Sequence, residues 1–179
     1  DTPGMIDNID KIKEVAQKDA FIHEISVFVD NLIDQDKVKA LYLIKNLFFA
    51  PEIHPRVRYM LAQRIGKIGP IQLFQQLLSY FILNKFPDTL SVIAALRSFG
   101  HPDAVPALID YYPNGNYREQ LEIIETLAHV SAPETIEFLS QIYNEQVTYA
   151  RPPEKPELDE IRHRASSALS KKIMRFDPL

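Results

Sequence analysis

The sequence predicts an all-α protein, an α-solenoid in which antiparallel helix pairs stack one on the next. Three observations support this. Apolar residues recur at helical spacing along almost the whole chain, no stretch shows the alternation typical of a strand, and a core pattern repeats after 31 residues. They indicate about ten helices joined as hairpins. A single hairpin cannot bury its apolar stripe, whereas stacked neighbours can.

Residues 1–50 carry amphipathic helices that lack the turn pattern of the later repeats. Three apolar stripes with helical spacing begin at Ile6, Phe21 and Val38. We expect this segment to form divergent helices that cap the N-terminal end of the stack, because the terminal units of such arrays need a polar outer face.

Residues 51–143 contain the regular repeats. A shift of 31 residues superposes Ile65 on Leu96 and Leu96 on Leu127, which places all three on first helices of successive pairs. On the second helices we expect a buried stripe at three sets of equivalent positions. These sets are Phe74, Val105 and Ile136; Leu77, Leu108 and Leu139; and Phe81, Tyr112 and Tyr143.

The turns within the repeats show the residues that helix ends favour. Gly69, Gly100 and Ser131 are small residues suited to a helix stop. Pro102 and Pro133 follow, each succeeded by an acidic residue, and both residue types are favoured in the first turn of a helix. The pattern therefore predicts a short turn between the two helices of each pair.

The repeat fails after Tyr143. Residues 144–157 (N-E-Q-V-T-Y-A-R-P-P-E-K-P-E) are too rich in proline and polar residues to be helical, so we expect a loop that is either functional or disordered. Residues 158–176 are expected to form a C-terminal capping helix. All of residues 1–179 fit one domain.

The repeats resemble the HEAT-repeat family, in particular the short bacterial HEAT-like repeats of the phycobilisome lyase type. Those pair a V-R-x-x-A-x-x-L first helix with an A-V-P-x-L second helix, which G-H-P-D-A-V-P-A-L-I at residues 100–109 matches closely. Val57-Arg58 and Ile161-Arg162 resemble the start of the first-helix pattern. Thr89 and Gln120 replace its arginine in two units. The resemblance covers residues 50–175 well and indicates fold far more than function.

The resemblance implies a non-catalytic scaffold or adaptor that binds another protein on the concave face of the solenoid. The second-helix face is polar to mildly acidic, with Phe138 as an apolar exception, and would favour a basic or polar partner. The loop at residues 144–157 adds two further candidate binding residues, the aromatic Tyr149 and the cationic Arg151. The residues that we expect to bind the partner are Tyr80, Asp103, Asp110, Tyr111, Glu134, Phe138, Gln141, Tyr149 and Arg151.

The same resemblance leaves a second function open. Repeats of this short type occur in phycobilin lyase subunits and phycobilisome-related proteins, which implies an accessory role on a chromophore-bearing protein. The chain is short for a complete lyase and has no obvious tetrapyrrole pocket, so an adaptor role is favoured over catalysis.

The charge of the chain bears on one further class of function, nucleic-acid binding. The net charge of −4 disfavours nucleic-acid binding, although residues 151–179 hold seven Lys/Arg against five Asp/Glu. We interpret these cations first as complements of a helix C-terminus and second as an anion or nucleic-acid patch. The five of them on or near the last helix are Arg162, Arg164, Lys171, Lys172 and Arg175.

No catalytic, cofactor or metal site is predicted. The chain has no cysteine, and none of its five histidines is spaced four residues from another. The first residues are too polar for the apolar core of a signal peptide, and no apolar run reaches membrane-spanning length. We therefore expect a cytoplasmic protein.

Overall fold

The computed structural model describes residues 2–175, with side chains described from Ile9 onward. Over these residues the chain is helical and contains no strand, which confirms the all-α prediction. The helices are α1 (Thr2–Val15), α2 (Ile22–Gln35), α3 (Lys37–Phe48), α4 (Pro55–Ile68), α5 (Ile71–Ile82), α6 (Thr89–Phe99), α7 (Val105–Tyr111), α8 (Tyr117–His129), α9 (Glu134–Tyr143) and α10 (Lys155–Arg175).

The chain divides into two compact units, Asp1–Phe99 and Gly100–Leu179. The first contains α1 to α6 and the second contains α7 to α10, with short 3-10 turns at Pro102–Ala104 and Tyr112–Asn114 on either side of α7. The solenoid arrangement and the assembly of residues 1–179 into a single domain stay predictions.

In the first unit, α4 and α6 pack closely against each other at a glycine. The Gly66 N–H donates to Ser98 Oγ at 2.8 Å. A Cβ built on Gly66 would overlap the backbone of Ser98 and Phe99, so any larger residue would force the two helices apart. The glycine thus sets how near the two helices lie.

Local signals in the sequence account for where two helices of this unit begin. The Asp36 carboxylate accepts the Lys39 N–H at 3.2 Å and caps α3. The His54 ring nitrogen Nδ1 accepts the Arg56 N–H at 3.1 Å and caps α4, whose first residue is a proline. Both arrangements satisfy an N–H group that has no partner within the helix.

The 31-residue period matches the observed burial at two sets of positions. Ile65, Leu96 and Leu127 on α4, α6 and α8 have no exposed surface. The same holds for the second-helix set, Leu77, Leu108 and Leu139. These two sets are the part of the repeat that the hydrophobic spacing identified correctly.

On α9 two of the three predicted core positions are wrong. Ile136 is 37% exposed and Tyr143 is 42% exposed, although both were expected in the core. The buried positions of α9 are instead Thr135, Phe138, Leu139 and Ile142, a stripe rotated around the helix. Phe138, which we expected on the outward surface, is therefore buried, and its ring packs edge-on against Tyr112 with centroids 5.3 Å apart.

The loop and the last helix also differ from the prediction. α10 begins at Lys155, so the loop ends at residue 154 and the helix covers 155–175 instead of 158–176, of which residue 176 lies outside the described part. Pro156 stands in the first turn, where its missing N–H needs no partner. The Glu157 carboxylate accepts the Glu154 N–H at 3.3 Å just before the helix begins.

Candidate functional site

The predicted binding residues do not converge on one described cavity. Tyr80 belongs to the first unit, where its half-buried ring packs edge-on against Phe49 and its hydroxyl accepts a hydrogen bond from Gln76 Nε2 at 3.1 Å. The other eight belong to the second unit. Among them Asp103, Asp110 and Glu134 are exposed and Gln141 is half-buried.

Tyr111 takes part in the start of α8. Its hydroxyl donates to Glu119 Oε1 at 3.0 Å, and the same oxygen accepts the Asn116 N–H at 2.9 Å. Asn116 Oδ1 in turn accepts the Glu119 N–H, which completes a capping box. The polar contact of Tyr111 is thus an internal one that stabilises the N-terminus of α8.

Two contacts anchor the loop between α9 and α10. The hydroxyls of Tyr149 and Tyr112 are 2.9 Å apart, and the Ala150 N–H donates to the Pro113 carbonyl at 3.0 Å. Tyr112 is fully buried, and this burial together with the Tyr149 hydroxyl raises its pKa well above the ordinary value. Both contacts join the loop to the segment that follows α7, and the choice between a functional and a disordered loop stays a prediction.

The anchored loop forms one wall of a cavity of about 690 Å³, which we call the loop cavity. Arg118 lies in the first turn of α8 and Arg151 lies in the loop itself. The lining residues are Asn114, Gly115, Asn116, Tyr117, Arg118, Gln120, Ala150, Arg151, Pro152, Pro153 and Glu157.

The charge of the loop cavity comes from its two arginines. Among the described residues, neither the Arg118 nor the Arg151 guanidinium forms an ion pair. Of the described residues in the lining, only Glu157 carries a carboxylate, and it accepts the backbone N–H of Glu154. The buried Gln120 amide stiffens the opposite wall by donating to the Tyr112 and Gly115 carbonyls at 3.3 and 3.0 Å. The cavity can therefore accept an acidic group without first breaking an internal salt bridge.

Sequence reasoning missed the main buried polar cluster, which surrounds Arg58 in the first unit. Arg58 is 4% exposed; its Nε donates to the Phe48 carbonyl at 2.9 Å and its Nη2 to the Ala50 carbonyl at 2.7 Å. Its Nη1 lies 3.2 Å from Asp88 Oδ2, and its guanidinium lies over the Phe86 ring. The detectable signal was an arginine inside the buried stripe of α4, a position that requires a compensating partner.

Three of the basic residues of α10 contact other parts of the second unit. Arg164 pairs with Glu160 at 2.7 Å and with Glu125 at 3.4 Å. Arg162 donates to the Tyr143 carbonyl and lies over the Tyr143 ring. Lys172 is buried. The predicted alternative was an anion or nucleic-acid patch of five cations. Three of them have these internal contacts, which disfavours nucleic-acid binding by all five together.

Within residues 2–175, no group of three or more histidine, aspartate or glutamate side chains is placed to hold a metal ion. None of the described helices combines the length and the apolar character that crossing a membrane requires. No protein-family model, curated protein or solved structure matches this chain. The resemblance to HEAT repeats therefore depends on the residue pattern alone and stays a prediction.

Proposed function

We propose that this chain is a non-catalytic protein-binding adaptor, and that it binds an acidic segment of its partner in the loop cavity. The observation that carries the proposal is the pair Arg118 and Arg151, two guanidinium groups at one cavity that have no acidic partner in the described part of the chain. The proposal assigns binding to the loop between α9 and α10, which the sequence had already indicated as unusual. Binding by a concave solenoid face stays a prediction.

The chemistry of the two arginines favours carboxylates. A guanidinium presents its donors in a planar fork that matches a carboxylate with two parallel hydrogen bonds. Flanking glutamates or aspartates on one extended segment could reach both cations. The acidic partner differs from the basic or polar one expected for the second-helix surface, because the cavity carries the opposite charge from that surface.

Preorganisation supports binding at this place. The Tyr112–Tyr149 and Ala150–Pro113 contacts hold the loop before a partner arrives. Pro152 and Pro153 restrict the backbone on the cavity side. A site ordered in advance loses less conformational entropy on binding, so weak polar contacts yield more net affinity.

The experiment is a fluorescence-anisotropy titration with a labelled peptide that alternates Glu and Ser. We expect saturable binding that weakens with added NaCl, and a loss of at least about tenfold in affinity in the R118E/R151E variant. The control is K39E/K85E, which changes the net charge equally at exposed lysines of the first unit. Equal affinities of the two double variants would contradict the proposal.

The accessory role in a phycobilin lyase or another phycobilisome-related system stays an alternative prediction based on the style of the repeat. Its direct test is the visible absorption spectrum of the protein mixed with a bilin. A shifted band that saturates at a fixed stoichiometry would support pigment binding. An unchanged spectrum would contradict pigment binding by this chain.

A further inference from the structure

A second cavity of about 520 Å³ lies between the C-terminus of α8, the start of α9 and the end of α10. Among the described residues that line it, two are cations and none is an anion. The lining consists of Ser131, Ala132, Pro133, Thr135, Ile136, Lys172 and Arg175. We call it the Lys172 cavity.

Lys172 is an unusual residue for such a position, because it is only 4% exposed. Its Nζ donates to the Val130 carbonyl at 2.7 Å, and it has no carboxylate partner among the described residues. An ammonium group has three donors, so this carbonyl satisfies one and leaves two. A buried charge is costly unless further partners solvate it, and the cavity that Lys172 lines is where those partners can bind.

The surroundings add positive charge to the cavity. Arg175 lines it as a second cation, which forms no ion pair within residues 9–175. The helix α9 begins beside the cavity at a residue without a side-chain cap. The C-termini of α8 and α10 offset part of this positive charge, because each carries a partial negative charge of about half an elementary charge. Glu134 opens α9 but is exposed and does not line the cavity. Burial lowers the pKa of Lys172 and Arg175 lowers it further, as expected where no anion compensates the ammonium group.

Water alone is the simpler occupant. The volume could hold several molecules, since one occupies about 30 Å³ in the liquid. Water satisfies the free donors of Lys172 but leaves both positive charges uncompensated. A doubly charged oxyanion satisfies the donors and the charges together. The Thr135 N–H donates to the Ala132 carbonyl at 3.2 Å, but the Ile136 N–H in the first turn of α9 has no acceptor among the described residues and is suited to one of the oxygens of the anion.

We propose that the Lys172 cavity binds a phosphate-type dianion, held by the Lys172 ammonium, the Arg175 guanidinium and the Ile136 N–H at the start of α9. This site is independent of the loop cavity and of the proposed adaptor function. It assigns Lys172 a ligand-binding role in addition to its hydrogen bond with the Val130 carbonyl at the end of α8.

The test is a titration of the 15N-labelled full chain with inorganic phosphate at constant ionic strength, followed by NMR at the Thr135 and Ile136 amides. Sodium chloride and sodium acetate are the comparison anions. We expect saturable shifts with phosphate and weaker, unsaturated ones with acetate and chloride. Equal responses to all three anions would overturn the assignment, because they would indicate general screening of charge.

Two variants locate the site. K172M keeps the length of the buried side chain without its charge, and R175Q changes an exposed residue and leaves the core intact. Each should weaken phosphate binding at least about tenfold. K171M, at an exposed lysine one position earlier, should bind phosphate as the wild type does. If K172M does not fold, the phosphate affinity of R175Q alone tests the proposal. Wild-type affinity in R175Q would overturn the proposal.

Discussion

Replacing Arg58 by methionine tests how the first unit is held together. The change removes two hydrogen bonds to the Phe48 and Ala50 carbonyls and leaves the Asp88 carboxylate, whose side chain is 15% exposed, without its cation. Breaking a buried ion pair by removing one partner costs about 3–5 kcal/mol. We therefore expect R58M to lower the free energy of unfolding by about 4 kcal/mol, which is a large share of a typical domain's stability.

Urea denaturation followed by circular dichroism measures this loss, and the matched control lies on the same helix. Arg56 pairs with Asp19 at 2.9 Å, but its side chain is 69% exposed, so R56M should cost less than about 1 kcal/mol. D88N should also destabilise, and the double variant R58M/D88N should lose less than the sum of the single losses, because the two residues interact. A loss in R58M no larger than in R56M, or strict additivity with D88N, would refute the reasoning.

Three further changes probe the packing and the loop. Tyr149→Phe leaves the buried Tyr112 hydroxyl without its partner and should lower the free energy of unfolding by about 1–2 kcal/mol in urea denaturation. Adding Y112F should cause little further loss. Strict additivity of the two changes would contradict a direct interaction. At high pH, Tyr112 keeps its proton in the folded state, while in the unfolded chain it ionises near pH 10. Its contribution to the free energy of unfolding is therefore complete below pH 10 and is smaller by about 1.4 kcal/mol at pH 11. Y112F should reduce this decrease, which urea titrations at matched pH values measure. Gly66→Ala places a methyl group against the backbone of Ser98 and Phe99 and should lower the melting temperature by several degrees, whereas a neutral result would contradict the close approach of α4 and α6.

Hydrophobic spacing predicted the helices and two sets of core positions because both depend on local periodicity. Leu77 lies at the centre of the α5 stripe, and Leu139 belongs to both the predicted and the observed stripe of α9, so both stay buried. Ile136 and Phe138 lie about 200° apart around α9, so the observed stripe is rotated by roughly a quarter turn from the predicted one and their environments are exchanged. The spacing alone does not determine that rotation, since it is set by the neighbours that α9 packs against.

The candidate sites were harder to predict because their residues are far apart in sequence. Arg151 and Tyr149 were identified from the unusual loop, but Arg118 was not, since nothing local relates a first-turn arginine of α8 to a loop after α9. Asp88 lies 30 residues from Arg58, and Val130 lies 42 residues from Lys172. Pairings at such separations require the packed structure.

The most direct test of the adaptor proposal is a charge exchange at the loop cavity. Affinities are measured for the wild type and R118E/R151E, each with the Glu–Ser peptide and with its Lys–Ser counterpart. The proposal requires a reversal of preference: the wild type binds the acidic peptide more tightly and the variant binds the basic one more tightly. If both proteins retain the same preference, an acidic partner segment does not bind in this cavity.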